Sequence, residues 1–324
     1  MTTNHRPYIG AGNATQLIHL PANIAGYLYR SFLGQAISVW AIYHLLRVVN
    51  SHISQRKQNN WVQAPPWDTL TELVLLTGGS SGIGNQVMRD LSRLHIKTVI
   101  LDVQEPKQPL PDNIFFYNVG LTSSTAIAET ATQVRRDHGS PTILINNAGV
   151  GSVGSILEEP EENIRRTLEV NMVSHFWTVK ELLPDMVKSY HGHIVSIASM
   201  ASFAGLNGMA DYACTKAGAL EFQESLSQEI RHLYGARRIR TSIIHPMWVH
   251  TPMLDSLLSS GAQFKSPTLA PESVSAAIIR QLMRGNGGQV IIPASLGFAS
   301  MLRGLPNWLQ EVMRDRSSRQ LTSL

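Results

Sequence analysis

Leu73-Val74-Leu75-Leu76-Thr77-Gly78-Gly79-Ser80-Ser81-Gly82-Ile83-Gly84 is the stretch that decides the fold. Four successive apolar residues, Leu73 to Leu76, suit a strand buried on both faces of a parallel sheet. Gly78, Gly82 and Gly84 follow as G-x-x-x-G-x-G, and Gln86, Val87, Met88 and Leu91 then continue as a helix with one apolar face. A strand, a glycine turn that also holds Ser80 and Ile83, and a helix N-terminus together make a site for a pyrophosphate. Residues without Cβ let the backbone approach the ligand, and free N–H groups plus the helix dipole favour negative charge. An ordinary glycine-rich βα loop is the alternative at this point, and the rest of the chain must separate the two.

The 324 residues favour one large α/β domain with appendages. With 43% hydrophobic and 15% charged residues, the chain can bury a sizeable core and is less charged than a typical soluble protein. A formal charge of +4, without a basic stripe interleaved with aromatics, gives no argument for nucleic acid. One cysteine, Cys214, excludes an internal disulfide or a cysteine-based zinc site and fits a reducing compartment. The 12 histidines lack metal-ligand spacing, so no metal is expected; His191 and His193 read as solvated turn residues.

No Asp or Glu occurs before Asp68. Within that region Ser31 to Leu46 carries no formal charge apart from a protonated His44, and as a helix it rises roughly 24 Å, short of the ~30 Å hydrocarbon core. Adding Gly26 to Tyr29 reaches a spanning length and places Arg30 inside it, where the long side chain can snorkel. Tyr27, Tyr29, Trp40 and Tyr43 are residue types favoured at interfaces. A single-pass anchor, an in-plane helix and a helix packed on the protein's own body all remain open. Arg47, Arg56 and Lys57 follow the segment, which by the positive-inside rule turns the body toward the cytosol. Asn59 to Asp68, with Pro65-Pro66, reads as a linker. The expected organisation is residues 1–67 as membrane-associating segment and linker, 68–293 as catalytic domain and 294–324 as an amphipathic extension.

Beyond the glycine turn, strands are expected at Lys97–Asp102, Ile114–Tyr117, Thr142–Ile145, His193–Ala198, Ile239–Ile244 and Gln289–Ile292. Helices are expected between them: Ser123–Asp137, a long Glu161–Lys188 broken or bent near Pro184, Ala210–Leu233 and Pro271–Met283. That alternation predicts a doubly wound parallel sheet covered on both faces. Asp102 lies 18 residues beyond Gly84, where a nucleotide fold places the carboxylate that accepts from the adenosine ribose hydroxyls. A carboxylate there repels a 2′-phosphate, so NAD is favoured while NADP is not excluded.

Ser199, Tyr212 and Lys216 form a second constellation. Ser199 follows the fifth expected strand, and Tyr212 and Lys216 are four apart on one helix face. A free tyrosine, with a pKa of about 10, exchanges protons poorly near neutrality, and a neighbouring ammonium stabilises its phenolate. Ser199 can then hold a substrate oxygen. Cys214, between them, reads as a small packed residue rather than a nucleophile.

With these residues in hand the chain resembles the short-chain dehydrogenase/reductase family over about Glu72 to Ile292. Thr77–Gly84 matches its TGxxxGxG, Asn146–Gly149 its NNAG and Tyr212–Lys216 its YxxxK, while Asn171 matches its helix asparagine. The resemblance implies a Rossmann-type sheet of about seven strands. It further implies Tyr212 as acid/base, Ser199 as the group polarising the substrate, and Lys216 as contacting the nicotinamide ribose and lowering the tyrosine pKa. Asn171 would help hold a relay water, Asn147 would lie near the nicotinamide half, and Val249 and Thr251 would close over the carboxamide. Two departures stand out. Asn118-Val119 replaces the usual Asp-hydrophobic pair of the adenine pocket, and Pro246-Met247 replaces Pro-Gly.

The N-terminal segment and the tail, Leu296 to Met313 interrupted by Pro306, resemble the membrane- or lipid-droplet-associated retinol and hydroxysteroid dehydrogenases. The tail reads equally as a cover for the substrate cleft or for a homodimer partner. The leading expectation is a membrane-associated oxidoreductase, on endoplasmic reticulum or lipid droplet in a eukaryote, acting on a lipophilic small molecule. An NADPH-dependent ketoreductase of a biosynthetic pathway and an inactive tethered nucleotide-binding scaffold are the alternatives.

Overall fold

The apolar run at Leu73–Thr77 (β1) is buried at every position and is an interior strand, third in order, of a seven-stranded sheet. A computed structural model describes residues 22–63, 67–259, 263–264, 267–318 and 321–322; for residues 22–28, 263–264 and 321–322 only the backbone is described. By its contacts the chain forms two units, Met1–Ser54 and Gln55–Leu324. Pro65-Pro66 of the expected linker and residues 260–262 and 265–266 of the loop after Pro246 lie outside the described residues.

The N-terminal helix α1, Ala22–Gln58, includes the stretch Tyr29–Gln58, long and apolar enough to cross a membrane. Tyr29, Trp40 and Tyr43 along it are exposed.

In the larger unit, α2 (Gly82–Arg93), β2 (Lys97–Asp102), β3 (Ile114–Asn118), α3 (Ser124–His138) and β4 (Ile143–Asn146) complete the first half. Ser123 caps α3, its hydroxyl accepting from the Ala126 N–H at 3.1 Å, and Gly139 ends it. The second half comprises α4 (Glu161–Leu168), α5 (Ser174–Ser189), β5 (His193–Ile197), α6 (Ala210–His232), β6 (Arg240–Pro246) and α7 (Pro252–Ser259). Then come β7 (Gln263–Phe264), α8 (Pro271–Met283), β8 (Gly288–Ile292), a 3-10 segment at Ala294–Gly304, α9 (Asn307–Ser318) and β9 (Leu321–Thr322).

The large sheet runs β3-β2-β1-β4-β5-β6-β8 with every pairing parallel, and β7 pairs antiparallel with β9. Alternation along β1 splits the core. Leu73 and Leu75 pack with Val134 of α3, Leu182 of α5 and Leu226 of α6. Val74 and Leu76 pack with Leu91 of α2 and Ile278 of α8 on the other face. Strand order reverses between β1 and β4, so the crevice for a ligand opens at the carboxyl ends of those strands.

Three expectations need correction. The long helix is not broken at Pro184, which lies inside α5; it is interrupted by a π turn at Glu169–Val173. The side-chain amide of Asn171, fully buried, bonds both main-chain groups of Val150 and draws this turn inward. His193 is not solvated but buried in β5 against Ser242 at 2.8 Å, and the half-buried His191 pairs through Nε2 with the buried Glu72 carboxylate at 2.9 Å. Cys214 is exposed rather than packed.

Candidate active site

The carboxyl ends of β1, β2, β4, β5 and β6 open on a cavity of about 980 Å3. Its floor begins at the glycine turn. Gly78 has φ +67°, and a Cβ there would lie 2.7 Å from Cα of Ala148. A Cβ on Gly84 would lie 2.0 Å from the Gly78 carbonyl oxygen, so the start of α2 can pass this close to the turn only as glycine. Ser81 precedes α2 with extended backbone and supplies no side-chain cap, leaving the helix N-terminus directed at the cavity wall formed by Ser81, Gly82 and Ile83.

Asp102, at the end of β2, lines the same cavity. One carboxylate oxygen accepts from the Ser80 N–H and the other from the Gln104 N–H, both at 3.0 Å. The side-chain amide of Asn147 donates to the Thr77 and Gly78 carbonyls at 3.0 and 2.9 Å, clamping β4 to the turn. An uncapped helix N-terminus, tight glycines and a strand-end acid fit the adenosine and pyrophosphate of a dinucleotide. The Ser80 hydroxyl, buried behind the wall without a hydrogen-bond partner among the described residues, is a further polar group of the cradle.

Of the candidate residues, Gly78, Gly82, Ile83, Asp102, Asn147, Ser199, Tyr212, Lys216, Val249 and Thr251 lie on the cavity wall. Ser80, Gly84 and Asn171 stand behind it. Val249 bridges to Leu269, and the Thr251 methyl would lie 3.3 Å from a Cβ on Gly82, so the loop after β6 closes against the glycine turn.

Ser199 ends β5 and opens a 3-10 turn, Met200–Ser202, its Oγ accepting from the Ala201 N–H at 3.2 Å. The Ser202 hydroxyl donates to the Lys216 carbonyl at 2.8 Å, which ties this turn to α6 and fixes Ser199 opposite Tyr212. The Ser199 hydroxyl lies near the Tyr212 phenol and favours its ionised form. Lys216 Nζ lies 5.4 Å from the Tyr212 ring centroid and donates to the Ile197 carbonyl at 2.9 Å. Burial holds the Lys216 ammonium down to about 8, and burial raises the Tyr212 phenol above its ordinary value while the Ser199 hydroxyl opposes that rise.

His245, Met209 and Leu257, on or behind the wall, are not singled out by the sequence. His245 is fully buried at the end of β6, where Nδ1 donates to the Ser199 carbonyl at 3.0 Å. Its Nε2 has no hydrogen-bond partner among the described residues, and burial, aided by Lys216, depresses the ring's pKa to about 4, so the ring is neutral. The signal was a lone histidine in the apolar strand Ile243-Ile244-His245-Pro246. Met209 and Leu257 form a buried apolar cluster with Val153, Leu206 and Trp248 packed on it, and Tyr212 belongs to the same cluster. These side chains come from separate loops and helices, and no local pattern unites them.

A family model described as short chain dehydrogenase matches residues 72–261. Dehydrogenase RED2 of Cochliobolus heterostrophus is 39% identical over 201 residues, which cover 61% of this chain and 76% of the relative. Estradiol 17-beta-dehydrogenase 11 of Homo sapiens is 30% identical over 259 residues, 76% of this chain and 83% of the relative. Among solved structures, ligand-free aldohexose dehydrogenase of Thermoplasma acidophilum shares the fold with a TM-score of 0.60 at 20% identity, over 68% of this chain and 92% of that one.

Proposed function

This chain belongs to the short-chain dehydrogenase family and is a nicotinamide-dependent oxidoreductase; on that premise we propose that it is membrane-anchored and interconverts a lipophilic alcohol and its carbonyl. The observation that carries the substrate class is the apolar cluster of Met209, Leu257, Val153, Leu206 and Trp248 beside Tyr212. Such a wall gains from desolvating an apolar ligand and offers little to a sugar or a charged acid. Estradiol 17-beta-dehydrogenase 11, 30% identical to this chain over 259 residues, is named for a steroid alcohol, and that supports a retinoid-, steroid- or fatty-alcohol-like substrate here.

In this reading Ser199 Oγ holds the substrate oxygen and Tyr212 exchanges the hydroxyl proton with it. The bound nicotinamide supplies the hydride acceptor for oxidation or the donor for reduction. Lys216, close to the ring, favours the phenolate once substrate approaches and reaches the nicotinamide ribose. Asn171 acts as a brace: its side-chain amide is spent on Val150 at 2.8 Å in both directions and on Thr215 at 3.3 Å, which leaves a relay water to its main-chain carbonyl. Asn147 and Thr77 keep the glycine turn shaped beneath the nicotinamide half, and Val249 and Thr251 close over it. Asp102 selects NAD by accepting from ribose hydroxyls and repelling a 2′-phosphate.

The apolar α1 anchors the chain in a membrane, with the basic residues that follow it placing the body on the cytosolic side. The test is a panel of retinoid, steroid and fatty alcohols assayed with NAD and NADP on membrane-reconstituted full-length protein. Turnover of at least one lipophilic alcohol with NAD preferred is expected. Turnover confined to small polar alcohols overturns the substrate class, and a strong NADP preference overturns the role of Asp102.

A further inference from the structure

At the amino ends of β6 and β8, away from the cavity, one buried cation gathers three segments of chain. Arg240, 3% exposed, bonds main-chain carbonyls rather than a carboxylate. Its guanidinium donates to Asn59 O at 3.3 Å and Val62 O at 2.6 Å, to Arg237 O at 2.9 Å and to Gly285 O at 3.1 Å. Asn59 adds a two-way bond with Gly287, accepting from its N–H at 2.7 Å and donating to its carbonyl at 3.4 Å. Asn60 donates to Arg237 O at 3.0 Å. The residues following α1, the turn between α6 and β6, and the turn between α8 and β8 are thus stapled into one corner.

The outward side of that corner has a consistent chemistry. Residues 55–63, 231–240 and 283–288 contain no Asp or Glu, and Arg56, Lys57, Arg237, Arg238 and Arg284 on them are exposed. Among those cations stand the apolar and aromatic side chains of Trp61, 60% exposed, Leu233, 73% exposed, and Tyr234, 45% exposed. Each would be an odd surface residue alone, and exposed apolar side chains set among cations, at the end of an apolar helix, are the composition of a headgroup-level contact. Only Arg56 and Lys57 are neighbours of the helix in sequence. Arg237, Arg238 and Arg284 arrive by folding, about 180 and 230 residues later in the chain.

We propose that this corner docks on the anionic headgroups of the bilayer that α1 enters, with the Arg240–Asn59 staple holding the corner in shape. The proposal rests on the reading of α1 as a membrane anchor. Phosphate-bearing headgroups meet the five cations, while Trp61, Leu233 and Tyr234 settle at the depth where amphipathic and apolar side chains leave water. Removing one such cation weakens attachment to an anionic surface about fivefold, and the loss is sensitive to salt.

The experiment uses the full chain incorporated into phosphatidylcholine vesicles with or without phosphatidylserine. Flotation with the neutral vesicles reads the anchor. Amide hydrogen exchange over residues 231–240 and 283–288 reads the docking. Exchange in both segments is expected to slow severalfold when phosphatidylserine is present. That protection should be lost in 0.5 M salt, and in the triple variant Arg237→Gln, Arg238→Gln, Arg284→Gln, whose exposed side chains leave the staple intact. Flotation with exchange that ignores lipid charge overturns the docking and leaves the anchor standing. Absence of flotation from neutral vesicles, with salt-sensitive protection by phosphatidylserine vesicles, supports the docking and overturns the anchor. Protection that survives both salt and the triple variant also overturns the docking, because it would not come from these cations.

Discussion

The two edges of the sheet are built on opposite plans. At the carboxyl edge, polar groups are left available or weakly used: the Ser80 hydroxyl and His245 Nε2 lack partners among the described residues, α2 has no side-chain cap, and Tyr212 and Lys216 are displaced by burial from their ordinary protonation ranges. At the amino edge most polar groups are spent, although Asn60 Oδ1 and Arg231 Nε are buried without a partner among the described residues. Arg240 saturates four carbonyls, Asn59 and Gly287 bond reciprocally, and Glu72 is engaged by both Thr142 and His191. β6, seven residues long, separates the two by about 20 Å. Chemistry needs groups whose bonds are still to be made, and attachment needs groups whose bonds are complete. Mutations at one edge should therefore move turnover, and at the other stability.

The largest expected effect is at the carboxyl edge. Tyr212→Phe should reduce kcat by about 10³ or more, within the range for a general acid/base, with cofactor binding and melting temperature nearly unchanged. Single-turnover kinetics and cofactor fluorescence check it, and retained turnover would move the reaction away from this edge. Next is Asp102→Ala, for which kcat/KM with NAD should fall about 10- to 100-fold as charge-assisted bonds are lost, with NADP gaining relative to it.

At the amino edge, Arg240→Met leaves main-chain carbonyls buried without donors. It should cost about 3 kcal/mol and lower Tm by several degrees, while kcat at 25 °C stays as in the parent. A parallel loss of kcat would break the separation of the edges.

Acid should weaken both edges together. His175, His193 and His245 are held neutral by burial, near 3, 3 and 4, whereas in the unfolded chain they protonate near 6.5. The unfolded state then binds more protons below about pH 6.5, so the denaturant midpoint should fall steadily as pH drops from 7 to 5. His193→Gln should flatten that slope. The smallest effect is His191→Asn. The Glu72 hydrogen bond raises His191, so its contribution is full below about pH 6.5 and fades as pH rises through the raised value. The melting difference between variant and parent should accordingly shrink from pH 6 to pH 8.

Much of this architecture is visible in short windows. Four apolar residues before a glycine turn place β1, and Pro271–Met283 has the helix bounds that its sequence suggests. Tyr212 and Lys216 announce themselves by a four-residue spacing that puts them on one helix face. Pro184 misled, because a proline is a local reason for a break. The actual interruption at Glu169–Val173 comes from Asn171 bonding Val150, 21 residues away, and no periodicity carries that information. His193 misled for a similar reason: beside a glycine it resembles turn chemistry, yet strand pairing with β4 and β6 buries it.

What the residues by themselves determine is a doubly wound nucleotide fold, its glycine turn, its strand-end acid and its Ser199–Tyr212–Lys216 group, since each is written in neighbours or in a fixed spacing. What only the tertiary structure decides is which distant residues complete each edge. His245 reaches the Ser199 carbonyl, Met209 and Leu257 close an apolar wall beside Tyr212, and Arg240 binds Asn59 across 181 positions. A hydrogen bond or a packed contact is chosen by distance in space, and along a chain that distance exists only after the sheet has formed.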